Sequence, residues 1–538
     1  MKRTILSLSA AVAALAAVTG VAAVAAPGDT GSTVPASATR LPVQRSTLVC
    51  PAPSSSEVAE TTYTAFAPPG ASAGADTKKG TAQLLPTGTV ADSHGNPAGK
   101  GGKGAKDGKD AKGGKGAKDK GGADSGGTQT VPPPDTKPVV PLQEAGKPVL
   151  GTTDSADAPA LTGSADGVLA PGWTVQQTTA IAAGLGRGLQ GLSCTAPDTQ
   201  FWFPGVSTAT GRTDYVHLTN PDPVPAVVDL EMRGKDGALT DSGGGEDITV
   251  PPHTTVPVLL STLTTSPADG AALHVSVRSG RIGAAVQAAD AKTGGDWLPP
   301  AADPTPGAVL PGIPADATDV QLVAVAPGDA DADLKVQLAT PTGLITPAGL
   351  DTLHVKSGMT ATVDLKDITK GEPGSLVLTP SDGGSTAPIA AALRVVRGKG
   401  DNQEMAFIPA TRPIEARGTV ADNRAKGSTL TLVAPQKGKD AKVRITASAG
   451  SGGGTPVSKT YTVKGGTSLA VQPPQPSGLK GSYALTVEPE PGSGPVHAAR
   501  ILALPQGGVP AFTVQPLPDD RGSVLVPTAG QDLSLLTR

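Results

Sequence analysis

Apolar and polar residues alternate along most of the chain after residue 40, as in HVSVRS (274–279) and LKVQLA (334–339). A period of two is typical of a β-strand that has one buried and one exposed face. Beyond the N-terminal segment, no long stretch has the 3.6-residue period of an amphipathic helix. The pattern therefore predicts an all-β protein.

The alternating stretches form a sequence pattern of three parts, and this pattern occurs three times between residues 214 and 502. The first part begins at Asp214, Thr318 and Gly427, the second at Glu246, Asp351 and Lys459, and the third at Gly270, Gly374 and Gly481. The repeat length of about 105 residues is that of one small β-sandwich. We therefore predict tandem immunoglobulin-like β-sandwich modules with similar strand orders.

Shifts in composition give the expected boundaries. They are a signal peptide or membrane anchor at 1–26, a disordered spacer at 27–40, a first β module at 41–195 that is interrupted by a disordered insert at about 91–138, β-sandwiches at 196–300, 314–412 and 413–515, and a tail at 516–538. Pro-rich joints at 298–314 and 408–415 separate the last three modules, because proline ends strands and stiffens linkers.

Local patterns predict details within the modules. Strands at 173–182 and 187–194 are joined by a tight turn that contains Gly184 and Gly186. The second part of each repeat is a hairpin-like pair around a turn, at 251–253, 356–358 and 464–466. The alternating residues that we expect to be buried include Val227, Leu230, Val250, Leu353, Val355 and Val363.

The N-terminus has the features of an export signal. Lys2 and Arg3 precede an apolar, alanine-rich run from Thr4 to Ala26, which ends in small residues. The run is long enough to span a bilayer if it is not cleaved, so both a cleaved signal and a retained anchor stay open. We expect the protein to be secreted or attached to the outer face of the cytoplasmic membrane.

The chain has two cysteines, Cys50 and Cys194. In an exported protein, an isolated pair is most simply one disulfide. The alternatives, two free thiols or a metal site, are disfavoured because no His or other Cys lies near either residue at ligand spacing. In the chain-entropy picture, closing a loop of roughly 140 residues stabilises the fold by about 5 kcal/mol.

A lysine array marks the predicted insert. Lysine occupies every third position from Lys100 to Lys118 in Gly/Ala-rich triplets. The candidate polyanion contacts are Lys100, Lys103, Lys106, Lys109, Lys112, Lys115, Lys118 and Lys120. The array is either a solvated, disordered tether or a cationic arm for anionic envelope polymers or lipid headgroups. The net charge of the whole chain is −3, so the protein is not built as a nucleic-acid binder.

Aromatic residues are scarce but clustered. Among the five Phe, four Tyr and three Trp of the chain, a candidate ligand platform comprises Trp173, Phe201, Trp202, Phe203 and Tyr215. Because neighbours in a strand point to opposite faces, Trp202 should face away from Phe201 and Phe203. The rings form either a packed seam between the first two modules or an exposed platform for a sugar or a partner chain.

No catalytic constellation is evident in the sequence. Near the rings, the titratable residues are Asp198, Asp214 and His217, which include no activated nucleophile or paired acids. The histidines are scattered without the spacing of a zinc site, and no cofactor motif is present.

Three stretches carry a family resemblance: LPVQRSTLVCPAPSSSEVAETTYTAF from Leu41, APGWTVQQTTAIAAGLGRGLQGLSCTAPDTQFWFPG from Ala170, and DYVHLTNPDPVPAVVDLEMRGKDG from Asp214. Over most of residues 41–520 the chain resembles an uncharacterised family of exported actinobacterial proteins, in which a signal or anchor precedes a β-rich domain of unknown function. SCTAPDTQFWFPG is its most specific motif. The resemblance implies export and supports the Cys50–Cys194 pairing, but it assigns no catalytic residue.

We therefore expect a non-enzymatic cell-envelope protein without cofactor or metal. It would bind or scaffold an envelope glycan or a membrane-bound enzyme that assembles one, with membrane attachment through residues 4–26 if they are not cleaved. The alternative is an envelope-acting enzyme with its site near the aromatic segment 201–217.

Overall fold

A computed structural model of the chain describes residues 39–70, 80–90, 130–131, 137–239 and 244–526. The signal segment, the lysine array and residues 527–538 lie outside these ranges. The described residues form forty β-strands and two short 3-10 turns, Gly167–Leu169 and Leu260–Thr262. None of the described residues belongs to a helix that could cross a membrane. The prediction of an all-β protein is confirmed.

The first sandwich has two four-stranded sheets. Its strands are β2 (Arg45–Cys50), β3 (Ala59–Phe66), β4 (Ala82–Pro86), β7 (Val139–Leu142), β8 (Val149–Thr153), β9 (Leu161–Asp166), β10 (Thr174–Ile181) and β11 (Gly188–Ser193). One sheet has the order β2-β9-β4-β7 and the other β11-β10-β3-β8. The predicted hairpin of two strands is confirmed, because β10 and β11 pair in antiparallel fashion.

The second sandwich follows the same plan. Its strands are β12 (Gln200–Val206), β13 (Arg212–Thr219), β14 (Ala226–Gly234), β15 (Gly237–Ala238), β16 (Ile248–Val250), β17 (Thr254–Leu259), β18 (Ala271–Ser279), β19 (Gly283–Asp290) and β20 (Gly294–Leu298). One sheet has the order β12-β18-β14, with β15 and β16 both paired to β14. The other has the order β20-β19-β13-β17 and is extended by β5 (Gly88–Val90) and β6 (Thr130–Val131).

The third sandwich begins earlier than expected. Its strands are β21 (Ala308–Ile313), β22 (Ala317–Val325), β23 (Ala332–Ala339), β24 (Leu344–Ile345), β25 (Thr352–Val355), β26 (Thr360–Asp364), β27 (Gly374–Pro380), β28 (Ala390–Lys399) and β29 (Asn402–Pro409). The sheets have the orders β21-β27-β23-β24, with β25 also paired to β23, and β26-β22-β28-β29.

The fourth sandwich completes the series. Its strands are β30 (Gly418–Asn423), β31 (Ser428–Ala434), β32 (Ala441–Gly450), β33 (Gly453–Thr455), β34 (Val457–Val463), β35 (Thr467–Val471), β36 (Ser477–Lys480), β37 (Tyr483–Pro489), β38 (His497–Ala503) and β39 (Phe512–Pro516). The sheets have the orders β30-β37-β32-β34 and β35-β31-β38-β39, and β33 pairs with β36. Separately, β1 (Thr39–Pro42) and β40 (Ser523–Val526) form a two-stranded ribbon.

The strand order is the same in all four sandwiches. Leaving aside short accessory strands, each has eight main strands. The first, sixth, third and fourth form one sheet, and the fifth, second, seventh and eighth form the other. The first sandwich is therefore a fourth copy of the repeat, which the alternation alone did not show because the insert separates its third and fourth strands.

Part of the predicted joint at 298–314 is a strand. All of β21 is buried, and it pairs with β27 across a register shift between Pro311 and Ile313. The equivalent strand β12 has a register shift between Pro204 and Val206. Each shift contains a glycine with positive φ, Gly205 or Gly312, which relieves the backbone strain there. Proline is tolerated because these are edge strands, so the Pro-Gly pair marks a bulge and not a linker.

Three other boundaries also differ from the expectation. The predicted spacer contains the start of β1, the predicted insert contains β6, and the predicted tail contains β40. These strands are short, so their own pattern is too brief to indicate a strand.

The three predicted turns join different sheets and are not hairpins. The strands before the turns, β16, β25 and β34, pair in one sheet, whereas β17, β26 and β35 pair in the other. His253, Gly358 and Gly466 each have positive φ at the third position of their turn. The same left-handed residue thus turns the chain from one sheet to the other in all three repeats.

Burial in β14 differs from the expectation at Val227. The buried residues are Ala226, Val228, Leu230 and Met232, whereas Val227 is half-buried on the opposite face. Since the side-chain period is two, Val227 and Leu230 cannot share a face. Among the other residues predicted to be buried, Leu230, Val250, Leu353 and Val355 are buried, and Val363 packs partly buried against the third core.

The sandwiches pack directly on one another and do not form a string with open joints. A separate apolar core fills each sandwich. The clusters of the second and third sandwiches extend into the following one, as at Phe407 and Phe512. Smaller clusters bridge the seams, for example Phe66 of the first sandwich with Ala421 and Ala484 of the fourth. The fourth sandwich thus contacts the first, and the series closes on itself.

Candidate functional site

The last strands of the four sandwiches meet at one junction. β11 contacts β20 and β39, and β29 contacts the same two strands. Each of these four strands lies at the edge of its own sheet, so its outer backbone groups are not used within that sheet. Buried backbone N–H groups require partners, and the junction must supply them.

Asp296 on β20 supplies one set of partners. The backbone N–H groups of Gly191 and Trp297 donate to Asp296 Oδ1, at 2.9 and 2.8 Å. Thr513 Oγ1 on β39 donates to Asp296 Oδ2 at 3.0 Å. The carboxyl group is fully buried, and burial raises its pKa well above the ordinary value against the opposing effect of these hydrogen bonds. Asp296 thus joins the second sandwich to the first and the fourth.

Glu404 on β29 has the corresponding role for the third sandwich. The backbone N–H groups of Leu189 and Phe512 both donate to Glu404 Oε1, at 2.7 and 3.2 Å. The side chain is fully buried, and burial raises its pKa to about 7. Two acids, one from the second and one from the third sandwich, therefore hold the edge strands of the first and the fourth.

Two glycines in β11 make this approach possible. A Cβ atom at Gly191 would lie 2.5 Å from Thr513 Cγ2, and one at Gly188 would lie 2.7 Å from Glu404 Oε1. Gly188 also has a φ of 125°, a conformation that side chains other than glycine rarely adopt. The sequence GLQGLS of β11 is therefore required by close packing at the junction.

A second polar network joins the first and fourth sandwiches beside the junction. Gln176 Oε1 accepts hydrogen bonds from the backbone N–H groups of Ala421 and Asp422, at 3.1 and 2.9 Å, and from Arg500 Nη2 at 3.1 Å. Arg500 is fully buried, which lowers its pKa to about 10. Burial would raise the pKa of Asp422, but hydrogen bonds and the charge of Arg424 hold it below the ordinary value.

The predicted disulfide is present. Cys50 ends β2 and Cys194 directly follows β11, and their Cα atoms are 4.6 Å apart. The bridge links the two sheets of the first sandwich across the whole insert, and both cysteines are buried in its core. No free cysteine remains in the chain.

The predicted aromatic platform is not exposed. Trp173 lies in the first core, and Phe201 and Phe203 lie in the second. Trp202 points to the opposite face, as expected, and packs against the third sandwich. These four rings are at most 7% exposed, and Tyr215 is half-buried. The rings are thus packed, as one of the two alternatives expected, but the seam that Trp202 fills joins the second and third sandwiches and not the first and second.

The titratable residues near the rings do not converge. Asp214 and His217 are three residues apart on β13, so they point to opposite faces of the sheet. Asp214 is paired with Arg212 within the second sandwich, and burial raises its pKa to about 6. Burial lowers the pKa of His217 to about 4, and its ring lies edge-on to Trp297. Asp198 pairs through its backbone with Ile282.

A metal site is not formed among the described residues. No group of three or more His, Cys, Asp or Glu side chains there is placed to hold an ion.

The eight lysines of the candidate polyanion contact lie outside the described residues, but the structure does describe the strands at the two ends of the segment that contains them. Thr89 pairs with Val131 and Val90 with Thr130, so both ends of the insert leave from one short hairpin stem.

The sequence patterns did not single out the acids of the junction. Asp296 and Glu404 each interrupt a buried, mainly apolar final strand, GGDWL and NQEMAFIP. A lone acid in a strand that is otherwise buried is the signal that could have found them, because such a group must have a hydrogen-bonding partner.

Comparison with known proteins identifies the family of the chain. Residues 149–474, more than half of the chain, match DUF5719, which is described as a family of unknown function. The chain belongs to this family. A search of curated proteins found no match. The DUF5719 region runs from β8 of the first sandwich into the fourth and includes both acids of the junction.

Proposed function

We propose that this DUF5719 protein is a non-enzymatic exported component of the cell envelope. It would bind or scaffold an envelope glycan or a membrane-bound enzyme that assembles one. The export signal at residues 1–26 and the buried disulfide support a location outside the cytoplasm, because structural disulfides persist in oxidising compartments.

The observation that carries the non-enzymatic function is the use of the buried acids. Asp296 and Glu404 are fully buried and accept backbone hydrogen bonds from neighbouring sandwiches. Acids with raised pKa values often mark catalytic sites, but a catalytic group must reach its substrate. In this protein the two buried acids instead accept hydrogen bonds from neighbouring sandwiches and fix the four sandwiches in one arrangement. Such an arrangement suits a rigid scaffold.

The enzymatic alternative near residues 201–217 has little support. Its aromatic residues are largely buried in packing contacts, and Asp214 and His217 point to opposite faces of β13. A general base and the group that orients it would need to be within hydrogen-bonding distance. We therefore do not propose a reaction.

The test is to incubate the mature secreted protein with purified envelope polymers. Co-sedimentation measures binding, and mass spectrometry of the released fragments measures turnover. We expect binding to a polymer, or to a membrane enzyme that is supplied in detergent, without turnover. Turnover that is lost in Asp214→Asn or His217→Ala would contradict the proposal and favour the enzyme.

A further inference from the structure

The repeat allows four equivalent edges to be compared. The fifth main strand of each sandwich, β8, β17, β26 or β35, lies at the edge of its second sheet. An open edge strand presents unpaired N–H and C=O groups, which natural proteins cover or protect. Because the strand order is the same, differences among the four edges reflect what each one contacts.

Three of these edges are met by the preceding sandwich or its insert stem. On β17, the stem strand β5 pairs in parallel, with Thr254 opposite Gly88 and Thr255 opposite Thr89. Beside β26, Thr362 Oγ1 donates to the carbonyl oxygen of Gly270 in the second sandwich. On β35, the backbone N–H of Ser468 donates to the carbonyl oxygen of Thr340 in the third sandwich, at 3.0 Å.

The fourth edge, β8, is different. Like β26 and β35, β8 pairs with a single strand, but among the described residues no hydrogen bond joins Val149–Thr153 to another sandwich. A groove of about 620 Å³ lies beside its first two residues, Val149 and Leu150, and we call this the β8 groove. The groove is lined by Pro141, the 143–148 turn, Val149, Leu150 and, from the fourth sandwich, Ser451 and Gly452. The preceding sandwich in the closed series thus forms a wall of the groove and does not cover the strand.

The sequence of β8 does not protect its edge. VLGTT contains neither a charge nor a proline, whereas the neighbouring edge strand β7 contains Pro141. Leu150 is 36% exposed. Glu144 and Lys147 are exposed on the turn beside the strand, and neither has an ion-pair partner among the described residues.

We propose that β8 is a docking site for an extended peptide segment of a partner protein, which adds to the sheet as a strand. The occupant is argued from β5, which already adds to the equivalent edge of the second sandwich. Backbone pairing supplies affinity, and alternate side chains supply specificity. This inference rests on the proposed scaffold function and names its partner as a polypeptide.

The groove sets the chemistry of that segment. β8 has five residues and therefore pairs with a strand of about five residues, roughly 17 Å long. Side chains on one face of the added strand would lie over Leu150, where an apolar group would cover its exposed surface. Charged residues beyond its end would meet Glu144 and Lys147.

The test begins with the full mature protein and a phage-displayed library of random decapeptides. Enriched peptides are synthesised, their affinity is measured by fluorescence anisotropy, and amide hydrogen exchange is followed by mass spectrometry. We expect peptides with alternating apolar residues to slow exchange at Val149–Thr153. We expect Leu150→Lys to weaken their binding by at least about tenfold. Leu185→Lys, at an exposed leucine of the β10–β11 turn in the same sandwich, is the matched control and should bind normally.

Several results would overturn the inference. The first is that no enriched peptide slows amide exchange at β8. The second is that peptides bind equally well to the Leu150→Lys variant. The third is slow exchange at Val149–Thr153 in the protein alone, which would mean that its own chain covers the edge. If envelope glycan binds without turnover while no peptide protects β8, this inference fails and the proposed function stands. Turnover of a polymer would instead overturn the proposed function.

Discussion

At the scale of single residues, the junction depends on groups that are costly to bury. Glu404 has no exposed surface, and its folded-state pKa of about 7 lies above the ordinary 4.5. A group whose pKa is raised on folding binds its proton more tightly in the folded state. Its contribution to stability is therefore fully present below about pH 4.5 and is lost as the pH rises through 7.

Glu404→Gln tests this directly. Because both backbone donors use Oε1, a glutamine oxygen can accept the same two hydrogen bonds. We expect the wild-type protein to lose on the order of 3 kcal/mol of unfolding free energy between pH 5 and pH 8 through this group. The variant should lose much less, as measured by urea denaturation. The exposed Glu372→Gln serves as the control. An equally steep pH dependence in Glu404→Gln would contradict the assignment.

Two adjacent glutamines on β10 provide a matched comparison. Gln176 Oε1 accepts three hydrogen bonds from the fourth sandwich, whereas the buried amide of Gln177 has no hydrogen-bonding partner among the described residues. Gln176→Leu leaves buried donors without acceptors, so we expect it to cost about 2–4 kcal/mol. Gln177→Leu removes an unpaired polar group from a core, so we expect it to be neutral or stabilising. If chemical denaturation showed equal losses of unfolding free energy in the two variants, the hydrogen bonds of Gln176 would not contribute specifically to stability.

At the scale of elements, the disulfide ties the first strand of the first sandwich to its last. Cys50 and Cys194 are 144 residues apart, and the insert lies between them. We expect peptide mapping without reductant to recover Cys50 joined to Cys194. The Cys50→Ser/Cys194→Ser variant should lose about 2–5 kcal/mol of stability. Unchanged melting after complete reduction would contradict a structural role.

The insert stem makes a separate prediction. Deleting residues 99–122 removes all eight lysines of the array and leaves the paired stem, Gly88–Val90 with Thr130–Val131. Shortening a flexible loop changes its closure entropy by less than about 1 kcal/mol. We therefore expect nearly the same melting curve. If adhesion to an anionic polymer is lost, most strongly at low salt, the array is a cationic arm and not a tether. A large drop in melting temperature would show that the array contributes to the fold.

At the scale of the whole molecule, four sandwiches behave as one packed unit from Pro42 to Gly522. Apolar clusters cross the seams, and the acids of the junction join three sandwiches each. Domains that are packed through extensive buried contacts stabilise one another. The joints at 298–314 and 408–415 are accordingly not expected to be flexible.

We therefore expect calorimetry of the mature protein to show one principal cooperative transition. Limited proteolysis should spare residues 299–307 and 410–417 under native conditions, because cleavage requires local opening. The Glu404→Gln and Gln176→Leu variants test two of the contacts between sandwiches separately. Several well-separated transitions, or early cleavage at these joints, would instead support independent modules.

The sequence by itself determined the local structure of this protein. A period of two with abundant Gly and Pro is compatible only with short strands and turns. The length of the repeated sequence pattern predicted the size of each sandwich. The disulfide followed from two cysteines and the prediction of export. These features depend on neighbouring residues or on simple counting, so a single sequence contains them.

Only the tertiary structure decided how the sandwiches meet. Whether Trp202 is a platform or a packed ring, whether Pro311 lies in a linker or a bulge, and whether Glu404 is free or buried depend on residues far away in the chain. The edge at β8 stands out only by comparison with the three equivalent edges, each of which makes at least one hydrogen bond to the preceding sandwich or its insert stem. Periodicity specifies which face of a strand is apolar, but not which neighbour covers it, because that choice is made by long-range packing.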